Sequence, residues 1–173
     1  MRELATNDSL TGLLNRRAFF HNSNNFIYFA EREQMPLSIM VVDLDKFKII
    51  NDGHGHPAGD KVLKHFGKSV KSISRDGDLA GRIGGEEFSL LLPNTSEDGA
   101  LAFAERLHSF VRKSTILHGQ SSIKYTISIG LVSLVPNEDD NIESIIKNAD
   151  KSLYMAKEKG RNRTEIFNAN KVR

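Results

Sequence analysis

The chain has 173 residues, the size of one domain, and its 39% of apolar residues is enough for a sizeable core, which argues against wholesale disorder. Lys and Arg number 24 against 22 Asp and Glu, and a net charge of +2 gives no support to a nucleic-acid binder that works by bulk charge. Without cysteine, disulfides and thiolate metal sites are excluded; no apolar run reaches the ~20 residues of a membrane span, and no signal-peptide pattern is read in the opening residues.

In chain order, residues 1–10 are a short polar lead-in, as expected of a domain that follows another in a longer protein. Phe19, Phe20, Phe26, Ile27 and Ala30 predict a helix from Arg16 to Arg32, stopped by Met35-Pro36. Leu37–Asp45 is a near-continuous apolar run ending in carboxylates and reads as a buried central strand. A short charged stretch, Lys46–Asp52, and a Gly/His segment follow. Val62, Leu63, Phe66, Val70 and Ile73 place a helix over Asp60–Ile73. Asp78–Ile83 and Glu87–Leu92 form a predicted hairpin around Gly84-Gly85. Ala100 to Phe110 carries a third helical stripe. Tyr125–Leu131 alternates as a half-buried strand, Ile142–Ala156 is the last helix with Gly160 as its cap, and Thr164–Phe167 is a final edge strand. Helices alternating with a sheet that contains a hairpin predict a layered α/β fold, its sheet at least partly antiparallel, with helices on both faces.

Asp43 and Asp45 share one face if the strand geometry persists to its end, and two carboxylates there need a cationic partner such as Mg²⁺. The alternative has one of them capping a short following helix. Glu86 and Glu87 at the hairpin are either a solvated turn or carboxylates that reach a cation while two glycines admit a ligand. If the strand end and the hairpin lie side by side, three or four carboxylates collect at one sheet edge. Mg²⁺ held by few carboxylates completes its shell with water and phosphate oxygens, which points to a nucleoside triphosphate. Lys48, Lys157 and Arg161 are candidate phosphate partners, and Asn51 with Asp60 suits a base edge; a carboxylate accepts from guanine but repels the ring acceptor of adenine.

Four segments now stand together: Asp8–Arg17 (DSLTGLLNRR), Asp43–Asp60 (DLDKFKIINDGHGHPAGD), Arg82–Phe88 (RIGGEEF) and Ala156–Arg163 (AKEKGRNR). In order and spacing the sequence resembles GGDEF domains, the diguanylate cyclases, in their GGEEF form. The resemblance covers essentially the whole chain as a single domain, 1–173. It implies a palm-like fold similar to class III nucleotidyl cyclases, with a mixed, mostly antiparallel sheet. It implies a nucleotidyltransferase that condenses two GTP into cyclic di-GMP and two pyrophosphates. Carried over by position, Asp43, the Leu44 carbonyl, Glu86 and Glu87 would bind Mg²⁺ or Mn²⁺, with Glu86 also the proton acceptor. Lys48 would stabilise transition-state charge; Asn51, His56 and Asp60 would line a guanine pocket; Lys157 and Arg161 would hold the terminal phosphates. Each domain would supply one GTP, so a transient homodimer is expected, in the cytoplasm, under an upstream sensor or receiver, with any membrane anchor lying in a preceding segment and no membrane or nucleic-acid contact by this domain.

Arg75 and Asp78 form an R-x-x-D in the position of the family's inhibitory product site, with Arg106 as its supporting arginine; the plain alternative is a surface ion pair. The Asp8–Arg17 motif reads as structural, with Asp8 pairing Arg82. His54, His65, His108 and His118 read as surface or satisfied histidines. The functional alternative to a cyclase is a non-catalytic cyclic di-GMP receptor using Arg75 and Asp78; a cyclase or polymerase-like enzyme of another base preference is the third reading.

Overall fold

The computed structural model describes residues 5–169, so residues 1–4 of the lead-in segment lie outside it. The chain runs β1 (Leu14–Asn15), α1 (Arg16–Glu33), β2 (Leu37–Leu44), α2 (Phe47–His54), α3 (His56–Ile73), β3 (Leu79–Arg82), β4 (Glu87–Pro93), α4 (Glu97–Lys113), β5 (Ile116–His118), β6 (Ser121–Ile123), β7 (Ile127–Leu134), α5 (Ile142–Glu158) and β8 (Thr164–Ile166). The main sheet has the order β1-β3-β4-β2-β7-β8. Its inner pairs are antiparallel, while β1 on β3 and β8 on β7 are parallel. The mixed, mostly antiparallel sheet expected from the sequence is therefore present.

β2 is central because both faces are apolar. Met40, Val42 and Leu44 pack with Phe66 of α3, Phe88 of β4 and Leu107 of α4 in one core layer. Leu37, Ile39 and Val41 pack with Phe19 and Ile27 of α1 and Ile145 and Ala149 of α5 in the other. Helices thus cover both faces, and residues alternating along one strand feed two cores.

Several elements depart from the sequence reading, among them the two-residue β1. Lys46–Asp52, read as a charged stretch, lies largely in α2, whose N-cap is Lys46 in left-handed geometry without a side-chain bond, so neither Asp43 nor Asp45 caps it. Gly55, at φ +88, ends α2 and starts α3 four residues earlier than the apolar stripe indicates, with Pro57 in its first turn. Between α4 and β7 a small hairpin, β5–β6, forms around Gly119 (φ +60).

His108 is buried, with Nε2 2.9 Å from the Thr164 hydroxyl and Nδ1 without a hydrogen-bond partner among the described residues. Burial, then the nearby Arg112 charge, pushes its pKa down to about 4. The unfolded chain takes up a proton near pH 6.5 that the folded one refuses until about pH 4, so stability falls as pH drops through that window. Urea titrations between pH 7 and 4 are expected to lose roughly 3 kcal/mol to this group, a loss absent from His108→Gln.

Candidate functional site

β2 and β4 pair so that Asp43 lies opposite Glu87. One residue on, the Leu44 amide donates to the Glu86 carbonyl at 3.3 Å. Two acidic stretches more than forty residues apart are thereby brought to one sheet end. The hairpin closes with the amides of Ile83 and Gly84 both donating to the Glu87 carbonyl. Neither Gly84 nor Gly85 has positive φ; a Cβ on Gly85 would meet nothing within 4 Å, whereas one on Gly84 would press on the Glu87 Cβ at 3.2 Å, so Gly85 leaves open space and Gly84 makes room for the Glu87 side chain.

Asp43 is largely buried. One carboxylate oxygen pairs with Lys157 of α5; the other, Oδ1, is buried and finds no hydrogen-bond partner among the described residues. Glu87 is held above the usual carboxylate range by burial, then by the charges of Asp150 and Asp43, with Lys157 and Arg16 pulling the other way. Asp150 is raised too, by burial against the same two cations. Neither Asp150 nor Arg16 was among the residues expected here. Arg16 also donates to the Ile83 carbonyl at 3.0 Å and so props the hairpin from α1.

An acceptor with no partner and a carboxyl strained by like charge are what a divalent cation relieves, and the donor set fits a hard ion. The gathering is looser than three or four converging carboxylates: among the described residues, no three acidic or imidazole side chains stand together as an ion-holding group. Asp45 is not available to one. Its oxygens accept from Thr126 (2.6 Å), Ser128 (2.6 Å) and the Asn162 amide (3.0 Å), which makes it a structural anchor.

The other expected residues fall in three places. Asn51 on α2 faces α3, its buried Oδ1 unpartnered among the described residues, in a space that exists because residue 59 is glycine. His56 begins α3, and Asp60 lies one turn on, both exposed. Lys48 is exposed on α2. Arg161, at φ +64, lines a cavity of about 540 Å³ with Lys46, Arg112 and Lys124. Lys157 is committed to Asp43 rather than free for phosphate.

Asp8 and Arg82 do pair, at 3.3 Å, and the Arg82 guanidinium continues to the Gly85 carbonyl (3.0 and 2.7 Å). Burial would raise the Asp8 carboxyl, but bonds from the Thr11 hydroxyl and amide, with Arg82, outweigh it and hold it low. The first motif thus braces the acidic hairpin. Elsewhere, Arg75 and Asp78 close a turn in which the Asp78 carboxylate accepts from the Arg75 amide at 2.8 Å, and both line a cavity of about 350 Å³ with Lys71 and Asn22. Arg106 is not in that lining; its guanidinium lies over the Phe103 ring.

Residues 5–163 match the family model described as diguanylate cyclase, GGDEF domain. The chain belongs to the GGDEF family. It is 41% identical over 172 residues to Diguanylate cyclase A of Treponema denticola, covering 97% of this chain and 46% of that protein. It is 43% identical over 162 residues to the response regulator PleD of Caulobacter vibrioides, covering 92% of this chain and 36% of PleD. The GGDEF domain thus spans less than half the length of these relatives. Among solved structures, the GGDEF domain of DgcB from Caulobacter crescentus in complex with c-di-GMP superposes with a TM-score of 0.89 at 29% identity, covering 96% of this chain and 98% of that one. No helix among the described residues is long and apolar enough to cross a membrane.

Proposed function

We propose that this GGDEF domain is a diguanylate cyclase that joins two GTP molecules into cyclic di-GMP and two pyrophosphates. The observation that carries the reading is the Asp43–Leu44 strand end, hydrogen-bonded to Glu86–Glu87 and leaving Asp43 Oδ1 buried and unsatisfied. Asp43, the Leu44 carbonyl, Glu86 and Glu87 would hold Mg²⁺ or Mn²⁺. Bound there, such an ion offsets triphosphate charge and lowers the pKa of an adjacent hydroxyl. Glu86 takes the 3′-hydroxyl proton. That oxygen forms a bond to the α-phosphorus of the second nucleotide as the bond to the β-phosphate oxygen breaks, and pyrophosphate departs. Lys48 neutralises developing charge, Lys157 exchanges Asp43 for the terminal phosphate, and Arg161 holds that phosphate from the cavity side.

Asn51, His56 and Asp60 form the guanine pocket. One domain carries one such set, so two copies face each other as a transient homodimer. Arg75 and Asp78 form a product site away from the catalytic edge and limit turnover when occupied; Arg106, expected as its supporting arginine, lies outside that cavity's lining. The domain works in the cytoplasm as the output of a sensor or receiver.

Purified protein with Mg²⁺ is expected to convert GTP, and not ATP, to the cyclic dinucleotide, followed by chromatography. Cyclic di-GMP binding without turnover would favour the receptor reading, and equal use of ATP would defeat the guanine assignment. Gly59→Ala tests the pocket: its methyl would run into the Asn51 side-chain oxygen and lie 3.1 Å from the Phe47 ring. We expect KM for GTP to rise about tenfold as the amide is displaced, with a stability loss of about 1–2 kcal/mol.

A further inference from the structure

We propose that Arg112 is a positioning residue that fixes the turn after α5 so that Arg161 addresses the terminal phosphates of the nucleotide; this rests on the phosphate role given to Arg161 above. The turn is unusual in its backbone. Gly160, Arg161 and Asn162 have φ of +116, +64 and +50, so two residues with side chains stand in succession in the left-handed region. Such a run is disfavoured for L-residues and needs outside support.

The support converges on Asn162. Its amide donates to Asp45 Oδ2 at 3.0 Å, and Asp45 is itself locked by Thr126 and Ser128. Arg112, fifty residues earlier on α4, donates from Nε to Asn162 Oδ1 at 2.8 Å and from Nη2 to the Asn162 carbonyl at 3.2 Å. One planar fork therefore reads both the side chain and the main chain of the residue next to Arg161. A lysine carries the same charge but cannot make this pair of bonds. Glu105, 3.4 Å from Nη1, steadies the guanidinium.

The cavity beside the turn is suited to a polyphosphate. Lys46, Arg112, Lys124 and Arg161 line it, and among the described residues Asp45 is its only carboxylate, with both oxygens already occupied. Among the described residues Arg161 makes no side-chain hydrogen bond or ion pair, so its direction is set by the backbone that Arg112 and Asp45 hold.

The test is titration of a non-hydrolysable GTP analogue and of GMP, with Mg²⁺, onto the unaltered chain and onto Arg112→Ala, Arg112→Lys, Arg161→Ala and the double Ala variant. Arg112→Ala is expected to weaken the analogue about tenfold and GMP not at all, because only the triphosphate reaches Arg161. Arg112→Lys should fall with Arg112→Ala, and the double variant should bind no worse than Arg161→Ala. Unfolding midpoints keep the variants comparable, since Arg112 is exposed on its helix. If Arg161→Ala binds the triphosphate as tightly relative to GMP as the unaltered chain does, the phosphate assignment of Arg161 fails and the inference with it. If Arg161→Ala is impaired while Arg112→Ala is not, if the two effects add, or if lysine restores binding, the inference alone is overturned.

Discussion

Glu86→Gln is expected to fold normally and to form cyclic di-GMP roughly 10²–10⁴-fold more slowly than the unaltered domain, the range lost with a positioned proton acceptor. The expectation separates chemistry from architecture. Glu86 contributes its carbonyl to the Leu44 amide, a main-chain bond that glutamine keeps. Among the described residues the Glu86 side chain makes no hydrogen bond or ion pair, so the exchange removes one negative charge and little else. The charge matters because Asp43 already has one oxygen on Lys157, leaving Glu86 and Glu87 to supply most of the remaining negative potential at the strand end. Product formation by chromatography, beside an unchanged urea midpoint, checks the prediction. Normal turnover in this variant would defeat the metal and base assignments together.

Gly130→Ala is expected to cost the most stability of any small substitution. Gly130 lies in β7 opposite Val41 of β2. A Cβ there would collide with the carbonyl oxygen of Ala149 and lie 2.5 Å from the Leu153 amide nitrogen, both backbone atoms of α5. A side chain can rotate away from such a clash; a helix backbone must shift as a body. We expect a loss of about 3 kcal/mol, the upper end for overpacking, and a midpoint lower by roughly 6–12 °C for a domain of this size. Activity should fall too, because α5 carries Asp150 and Lys157. Gly53→Ala, where a Cβ meets nothing within 4 Å, is the matched control and should leave the midpoint within a few degrees.

What the sequence made legible follows the strength of its patterns. α1, β2, α3, β4 and α5 each bury a regular stripe or an unbroken apolar run, and those signals survive packing. α2 does not: eight residues with only Phe47 and Ile50 buried cannot be told from a charged loop. β1 and the β5–β6 hairpin are two or three residues per strand and exist through their neighbours. In the site, Asp43 and Glu87 could be foreseen because each ends or begins a strand. Asp45 shows the limit. Its D-x-D spacing suggests a second ligand, whereas its oxygens are consumed by Thr126, Ser128 and Asn162, over eighty residues away, and no local pattern announces that. Asp150 was missed because, on a helix with a clear apolar stripe, an acid on the polar side looks like solvated surface. Only the crossing of α5 over the β2 end gives it Glu87 as a neighbour.

The sheet ends on very short outer strands, two residues in β1 and three in β8, each running parallel to its neighbour. Exposed strand rims invite uncontrolled fusion of one molecule to another, and stubs of this length offer little to zip onto. If two copies meet during turnover, as proposed above, that bluntness lets them come together and part without the rims fusing.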